Sequence, residues 1–336
     1  MSVTELEAPA ETAPPVPAPA PSGGRRERRL AGQQGAAVAP PLPQDDEEVG
    51  DAHRRPPLST GRGTAVWILA TVSLLAAWFV LYTVALSPLE ESRRQSVLYN
   101  SLRESLALQT APLGGPIAPG TPVALLSLPT TGGVDQVVVE GTASGDLMSG
   151  PGHKRDTVLP GQIGVSVLYG RASLFGGPFG TIGSLRTGDR IVTTTGQGVS
   201  TYVVTGLRRA GDPFPQPLAA GAGRLTLVSA EGNGRWGFLA PRAVVYVDAD
   251  LVGKAQPGVA GRPSVVPRSE QAMQGDPSAL LPLALALPLL IGSVLVLSWA
   301  RTRWGGWQSW VVGLPLLLAT LWTVSQAAVQ LLPNLL

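Results

Sequence analysis

Residues 224–232 read RLTLVSAEG. Leu225 and Leu227 alternate with polar or smaller neighbours, and the run closes on Ser229, Ala230 and Glu231 before Gly232, so it predicts a strand that empties into a loop. Strands ending this way present a side chain at the mouth of a barrel, yet the residue at this tip is an alanine. Similar runs lie on either side: TPVALLSL (121–128), VDQVVVEG (134–141), GVSVLYG (164–170), DRIVTTT (189–195), STYVVTGLRR (200–209) and RAVVYVDADL (242–251). Each is short, rich in Val and Thr, and bounded by Gly or Pro. No helical pattern intervenes. The series predicts a mainly β domain over 111–255, an antiparallel sandwich or a closed barrel.

Beyond this domain the pattern changes to long apolar runs. Residues 64–87, 278–300 and 310–334 each carry about twenty residues without an acidic or basic side chain in their cores, enough to cross a hydrocarbon layer of about 30 Å as a helix. Ser87 with Glu90 matches a capping box, Pro88 suits a first helical turn, and Leu98, Leu102 and Leu106 recur at i, i+4 and i+8, so a juxtamembrane helix is expected to continue out of the membrane over 88–110. Residues 256–276 read as a linker and 301–309 as a short loop carrying Arg301 and Arg303. Those arginines place the loop in the cytoplasm. The N-terminus then also lies in the cytoplasm and the β domain outside a plasma membrane. Residues 1–62 lack apolar periodicity and are rich in Pro, Ala and Arg, which reads as a disordered tail.

Composition excludes several chemistries. The chain has 336 residues, no cysteine and only two histidines, His53 and His153. Disulfides, thiolate metal sites and thiol catalysis are thereby removed, no metal site or cofactor is expected, and a net charge of +2 without a basic stripe argues against nucleic acid.

Two segments resemble a known family. VVVEGTASGDLMSGPGHKRDTVLPGQIG (137–164) and LYGRASLFGGPFGTIGSLRTGDRIVTTT (168–195) follow the ordered motifs of class E sortases of actinobacteria, with Gly150, Pro151, Gly152 and His153 standing as the GPGH element. The resemblance implies an eight-stranded β-barrel whose cysteine, histidine and arginine act on a peptide bond. Laid over this chain, the cysteine position is Ala230, the histidine position Arg171 and the arginine position Arg242. The reading that follows is of a pseudo-sortase, not an enzyme: a binding or scaffolding subunit of a cell-envelope or transporter complex. A transpeptidase or peptidase using other residues, and a structural spacer, are the alternatives. Residues expected to line the groove are Arg171, Ser229, Glu231, Trp236 and Arg242. The expected partners are the lipid bilayer and a membrane or secreted protein.

Overall fold

The computed structural model describes residues 60–232, 243–304 and 306–336. Eight strands close into a barrel: β1 (Pro122–Ser127), β2 (Gln136–Glu140), β3 (Gly152–His153), β4 (Gly164–Tyr169), β5 (Arg190–Thr195), β6 (Gly198–Arg209), β7 (Gly223–Glu231) and β8 (Ala243–Leu251). They meet in the order β1-β2-β3-β4-β7-β8-β6-β5. Closure pairs every strand on both sides and removes the exposed edges that an open sheet would leave.

Two pairings depart from an antiparallel meander. β2 pairs with β3 in parallel, and β4 with β7 in parallel. Parallel neighbours need a crossover, and the whole of 170–222, with β5 and β6 inside it, supplies the one between β4 and β7. Side chains alternate across the wall. Leu225 and Leu227 of β7 enter the main core with Val123, Leu168, Ile191, Tyr202, Val245 and Val247. Val228 and Ala230, one step out of phase, belong to a second cluster on the outer face of the barrel.

The helical part is built of four helices. α1 (Thr60–Leu81) passes through a π turn at Tyr82–Leu86 into α2 (Ser87–Ala107), while α3 (Leu280–Trp304) and α4 (Gly306–Gln330) form a hairpin. Three segments, Thr64–Ala107, Pro277–Arg303 and Gly306–Gln330, are long and apolar enough to cross a membrane. Their outward faces carry Trp67, Leu69, Leu74, Leu281, Ile291, Trp299 and Leu316 in the open, the pattern of a helix whose solvent is lipid. This is a membrane protein. Small residues set the hairpin spacing: a Cβ on Gly313 would fall 2.0 Å from Leu297 Cδ1.

The helix runs from α1 through the π turn into α2 without interruption at residue 88. Ser87 Oγ donates to the carbonyl of Thr83 at 2.5 Å and no side-chain cap forms, because the preceding π turn already supplies the backbone acceptors that a helix start would lack. Glu90 is used differently. It accepts from Tyr82 Oη (2.8 Å), from Arg94, and from Gln326 of α4, tying the first and third spans together. α2 is fastened to the barrel by Gln95, which exchanges both amide groups with the backbone of Val137 in β2. The expected loop at 301–309 is mostly helix, since α3 runs to Trp304 and α4 starts at Gly306. The expected tail, 1–62, lies outside the described residues except for its last three, which open α1.

Candidate functional site

The parallel register of β4 and β7 sets Tyr169 beside Val228. Gly170 extends the pairing by donating its N–H to Val228 O at 3.0 Å. The next residues, Arg171 and Ala230, therefore leave the same end of the barrel side by side. Gly170 has a packing reason to be glycine. A Cβ there would sit 2.4 Å from the Phe179 ring, far inside van der Waals contact.

Arg171 is fully buried. Its Nη2 donates to Ser144 O (2.9 Å) and Ser144 Oγ (2.8 Å), its Nε to Leu147 O (3.3 Å), and its guanidinium lies 5.2 Å above the Phe175 ring. No carboxylate pairs with it among the described residues. Burial pushes the guanidinium down to about 9, still protonated at neutral pH. The expectation that Arg171 faces an open groove is thus corrected: it is a strut between β4, the 144–148 segment and Phe175.

Ser229 lies on the barrel-interior face of β7 and donates to Gly170 O at 2.9 Å. It is fully buried, so the expectation that it lines the groove is also corrected, the period of two having turned it inward. Glu231 pairs with Arg209 of β6, whose Nη2 donates to Oε1 at 2.8 Å, and this partner holds its carboxyl below the usual carboxylate range. Trp236 and Arg242 lie outside the described residues.

Ala230 is 6% exposed, and the cover comes from the chain's own residues 331–336. Leu335 is fully buried against Leu147, Tyr169, Val228 and Ala230. Its carbonyl accepts from Ala172 N at 2.9 Å, one residue past Arg171. Asn334, also fully buried, donates from Nδ2 to Thr142 O (2.8 Å) and Gln271 O (2.9 Å). Its own N–H reaches Gln274 O at 2.9 Å. Sequence reading placed this segment in or beside the third span. α4 instead stops at Gln330, and Pro333, which can neither donate nor continue a helix, gives the visible stop signal.

The GPGH element forms the rim on the other side. β3 sets His153 opposite Glu140 of β2. Nδ1 of His153 lies 2.8 Å from Glu140 Oε2 and Nε2 lies 2.9 Å from the carbonyl of Val158. Gly152 is needed because a Cβ would fall 2.1 Å from Gly141 O and 2.6 Å from Leu147 Cδ2.

Asp146, in the short turn Asp146–Met148, carries the pH sensitivity of this region. Burial first, and the nearby Glu270 second, push its carboxyl up to about 6 from an ordinary 3.8. Between those values the folded chain holds a proton that the unfolded chain has released. Stability is then fully present below about pH 4 and falls as pH rises to about 6. Asp146→Asn is expected to remove that fall and to stabilise the protein at pH 7 by about 2–3 kcal/mol. Thermal unfolding at pH 4, 5, 6 and 7 checks it. Parallel profiles for variant and wild type would refute the assignment.

Residues 126–231 match the family described as Sortase domain. Among solved structures, sortase E from Streptomyces avermitilis is 30% identical, covering 46% of this chain and 100% of that one, with a TM-score of 0.35. The SrtA sortase from Actinomyces oris is 25% identical over 47% of this chain and 94% of that one, with a TM-score of 0.37. A Clostridium perfringens Sortase D5 transpeptidase is 21% identical over 48% and 99%, with a TM-score of 0.39. A search of curated proteins finds no match. The family match points to an enzyme and corrects the expectation that this chain is not one. Residues 126–231, from β1 to β7 of the barrel, are a sortase domain.

Proposed function

We propose that this membrane protein engages an exported or membrane polypeptide at the end of the barrel where β4 and β7 terminate, and holds it there at the cell envelope. One observation carries the reading. That end already buries a peptide segment, residues 331–336, in contact with Ala230 and Tyr169, and it packs against the outer ends of the spans through Tyr82, Phe175, Leu174 and Val329. The resemblance to class E sortases favours an actinobacterial envelope setting. The arginines of the α3–α4 turn favour a cytoplasmic N-terminus and an external barrel. The lipid bilayer and one such polypeptide are the partners of this reading; no nucleic acid or cofactor enters it.

The family match favours a second reading of the same groove, in which it performs peptide-bond chemistry. A chain without cysteine would then use a hydroxyl or a water as nucleophile. Ser229 is poorly placed for that task, since its Oγ points into the barrel and is engaged by Gly170 O.

A photo-crosslinking amino acid at Ala230, expressed in native membranes, tests both readings. A crosslink to a defined exported or membrane polypeptide is the expected result. Recovery of that polypeptide intact supports the holding role, and recovery as a cleaved or rejoined product supports the enzymatic one. Crosslinks confined to lipid would defeat both.

A further inference from the structure

Residues 331–336 differ from the rest of the helical hairpin in how they are held. This short segment is gripped by directed bonds as well as by apolar contacts. Asn334 Nδ2 donates to two backbone carbonyls, Thr142 O and Gln271 O, from two segments distant in sequence that Thr142 Oγ1 joins by donating to Glu270 O at 2.7 Å. Ala172 N and Leu174 N donate to the carbonyls of Leu335 and Leu336 at 2.9 and 3.4 Å. Leu336 N returns to Pro333 O at 3.2 Å, closing a turn. Beneath it, Leu335 fills a socket lined by Leu147, Tyr169, Val228 and Ala230. A backbone-carbonyl pair that fits a carboxamide, followed by an aliphatic socket, is the anatomy of a peptide-recognition site: polar groups fix register and an apolar pocket provides selectivity.

We infer that the end of the barrel at β4 and β7 is a binding site for a Pro-Asn-Leu turn, and that the chain's own residues 333–335 occupy it in cis. The inference rests on the reading that this groove takes a polypeptide, and it adds the chemistry of the ligand: a carboxamide side chain followed by leucine. It also makes α4 a handle on the site. The segment begins one residue after the helix ends, and Asp276 N and Ser144 Oγ fasten the last turn of α4 through the carbonyls of Gln330 (2.8 Å) and Val329 (3.4 Å). Withdrawal of that turn draws the segment out, and a free peptide of the same chemistry takes its place. Tethering makes the cis occupant hard to displace because its effective concentration is high.

The absence of native cysteine makes the test direct. Ala230→Cys introduces a single thiol beneath Leu335, and its rate of reaction with a membrane-impermeant maleimide reports whether the site is covered. The full chain is measured in detergent alongside Ala230→Cys with Leu335→Asp and Ala230→Cys ending at Leu331, each checked for an intact barrel by thermal unfolding. Both uncovered variants are expected to label at least about tenfold faster than the covered chain. The hexapeptide LLPNLL, acetylated and amidated, is expected to restore protection to the shortened chain. LLPDLL and LLPNDL, differing at the carboxamide or at the leucine, are expected not to. Equal rates in all three proteins would show that the segment does not cover the site and would overturn the inference. Fast labelling that the hexapeptide does not slow would also overturn it, because the segment would then be part of the fold and not a ligand of it. Protection by a crosslinked envelope polypeptide but not by the hexapeptide would overturn the Pro-Asn-Leu assignment and leave the groove's proposed function standing.

Discussion

His153→Leu is expected to lower stability by about 3–5 kcal/mol, the cost of leaving two buried hydrogen-bonding groups, the Glu140 carboxyl and the Val158 carbonyl, without a partner. His153 and Glu140 are each 2% exposed, and their side chains meet at 2.8 Å. Leucine removes the imidazole and takes away the hydrogen-bond partner of the Glu140 carboxyl. It also frees the carbonyl of Val158, which the other ring nitrogen approaches at 2.9 Å. The loss falls where the fold has little reserve, because β3 is two residues long and its pairing with β2 consists of Val139 with Gly152 and Glu140 with His153. In a domain of this size the melting temperature is expected to drop by about 6–20 °C. The double variant Glu140→Leu with His153→Leu is expected to recover most of the deficit, since replacing both partners by apolar groups of similar volume removes the unsatisfied side-chain pair. Near-UV circular dichroism of the full chain in detergent, at a fixed scan rate, reads both. A double variant no better than the single one would show that packing, not hydrogen bonding, governs this wall.

How much of this was readable beforehand differs from one element to the next. The seven longer strands announce themselves as short runs rich in β-branched and apolar residues between Gly and Pro turns, and in β7 Leu225 and Leu227 mark one face while Val228 and Ala230 mark the other. β3 was not legible as a strand, because two residues hold no period; GPGH could be recognised only as a motif. The parallel pairings were also hidden, since periodicity says that a residue lies in a strand and nothing about which neighbour it finds. The spans were legible from length and composition. Where the third one stops was not, because apolar side chains look alike whether lipid or a barrel wall covers them. Residues 331–334 therefore read as membrane when they lead into Leu335, the lid on Ala230, although Pro333 marked the end of the helix. Arg171 was misread for a related reason. A charged residue in a predicted strand end reads as solvated, and the carbonyls of Ser144 and Leu147 that receive it lie more than twenty residues away in sequence.

Arg171→Ala is expected to cost about 2–4 kcal/mol, a cavity term and three lost charge-assisted hydrogen bonds, reduced by the relief of no longer burying a cation. Arg171→Met separates those contributions. Methionine restores most of the volume and the contact over Phe175, removes the buried charge, and leaves the carbonyls of Ser144 and Leu147 without a donor, so it is expected to lie within about 2 kcal/mol of wild type. The two variants should therefore differ in stability while sharing one defect: neither can hold the 144–147 segment to β4. That segment supplies Leu147 to the socket under Leu335, and Thr142, just ahead of it, supplies the carbonyl that receives Asn334. Both substitutions, placed in the Ala230→Cys background, are accordingly expected to speed maleimide labelling even where Arg171→Met unfolds at nearly the wild-type temperature. If labelling instead follows stability alone, slow in the Met variant and fast in the Ala variant, Arg171 supports the barrel without positioning the site. If both variants label fast, the buried arginine acts through the hydrogen bonds that keep the groove in the shape its occupant requires.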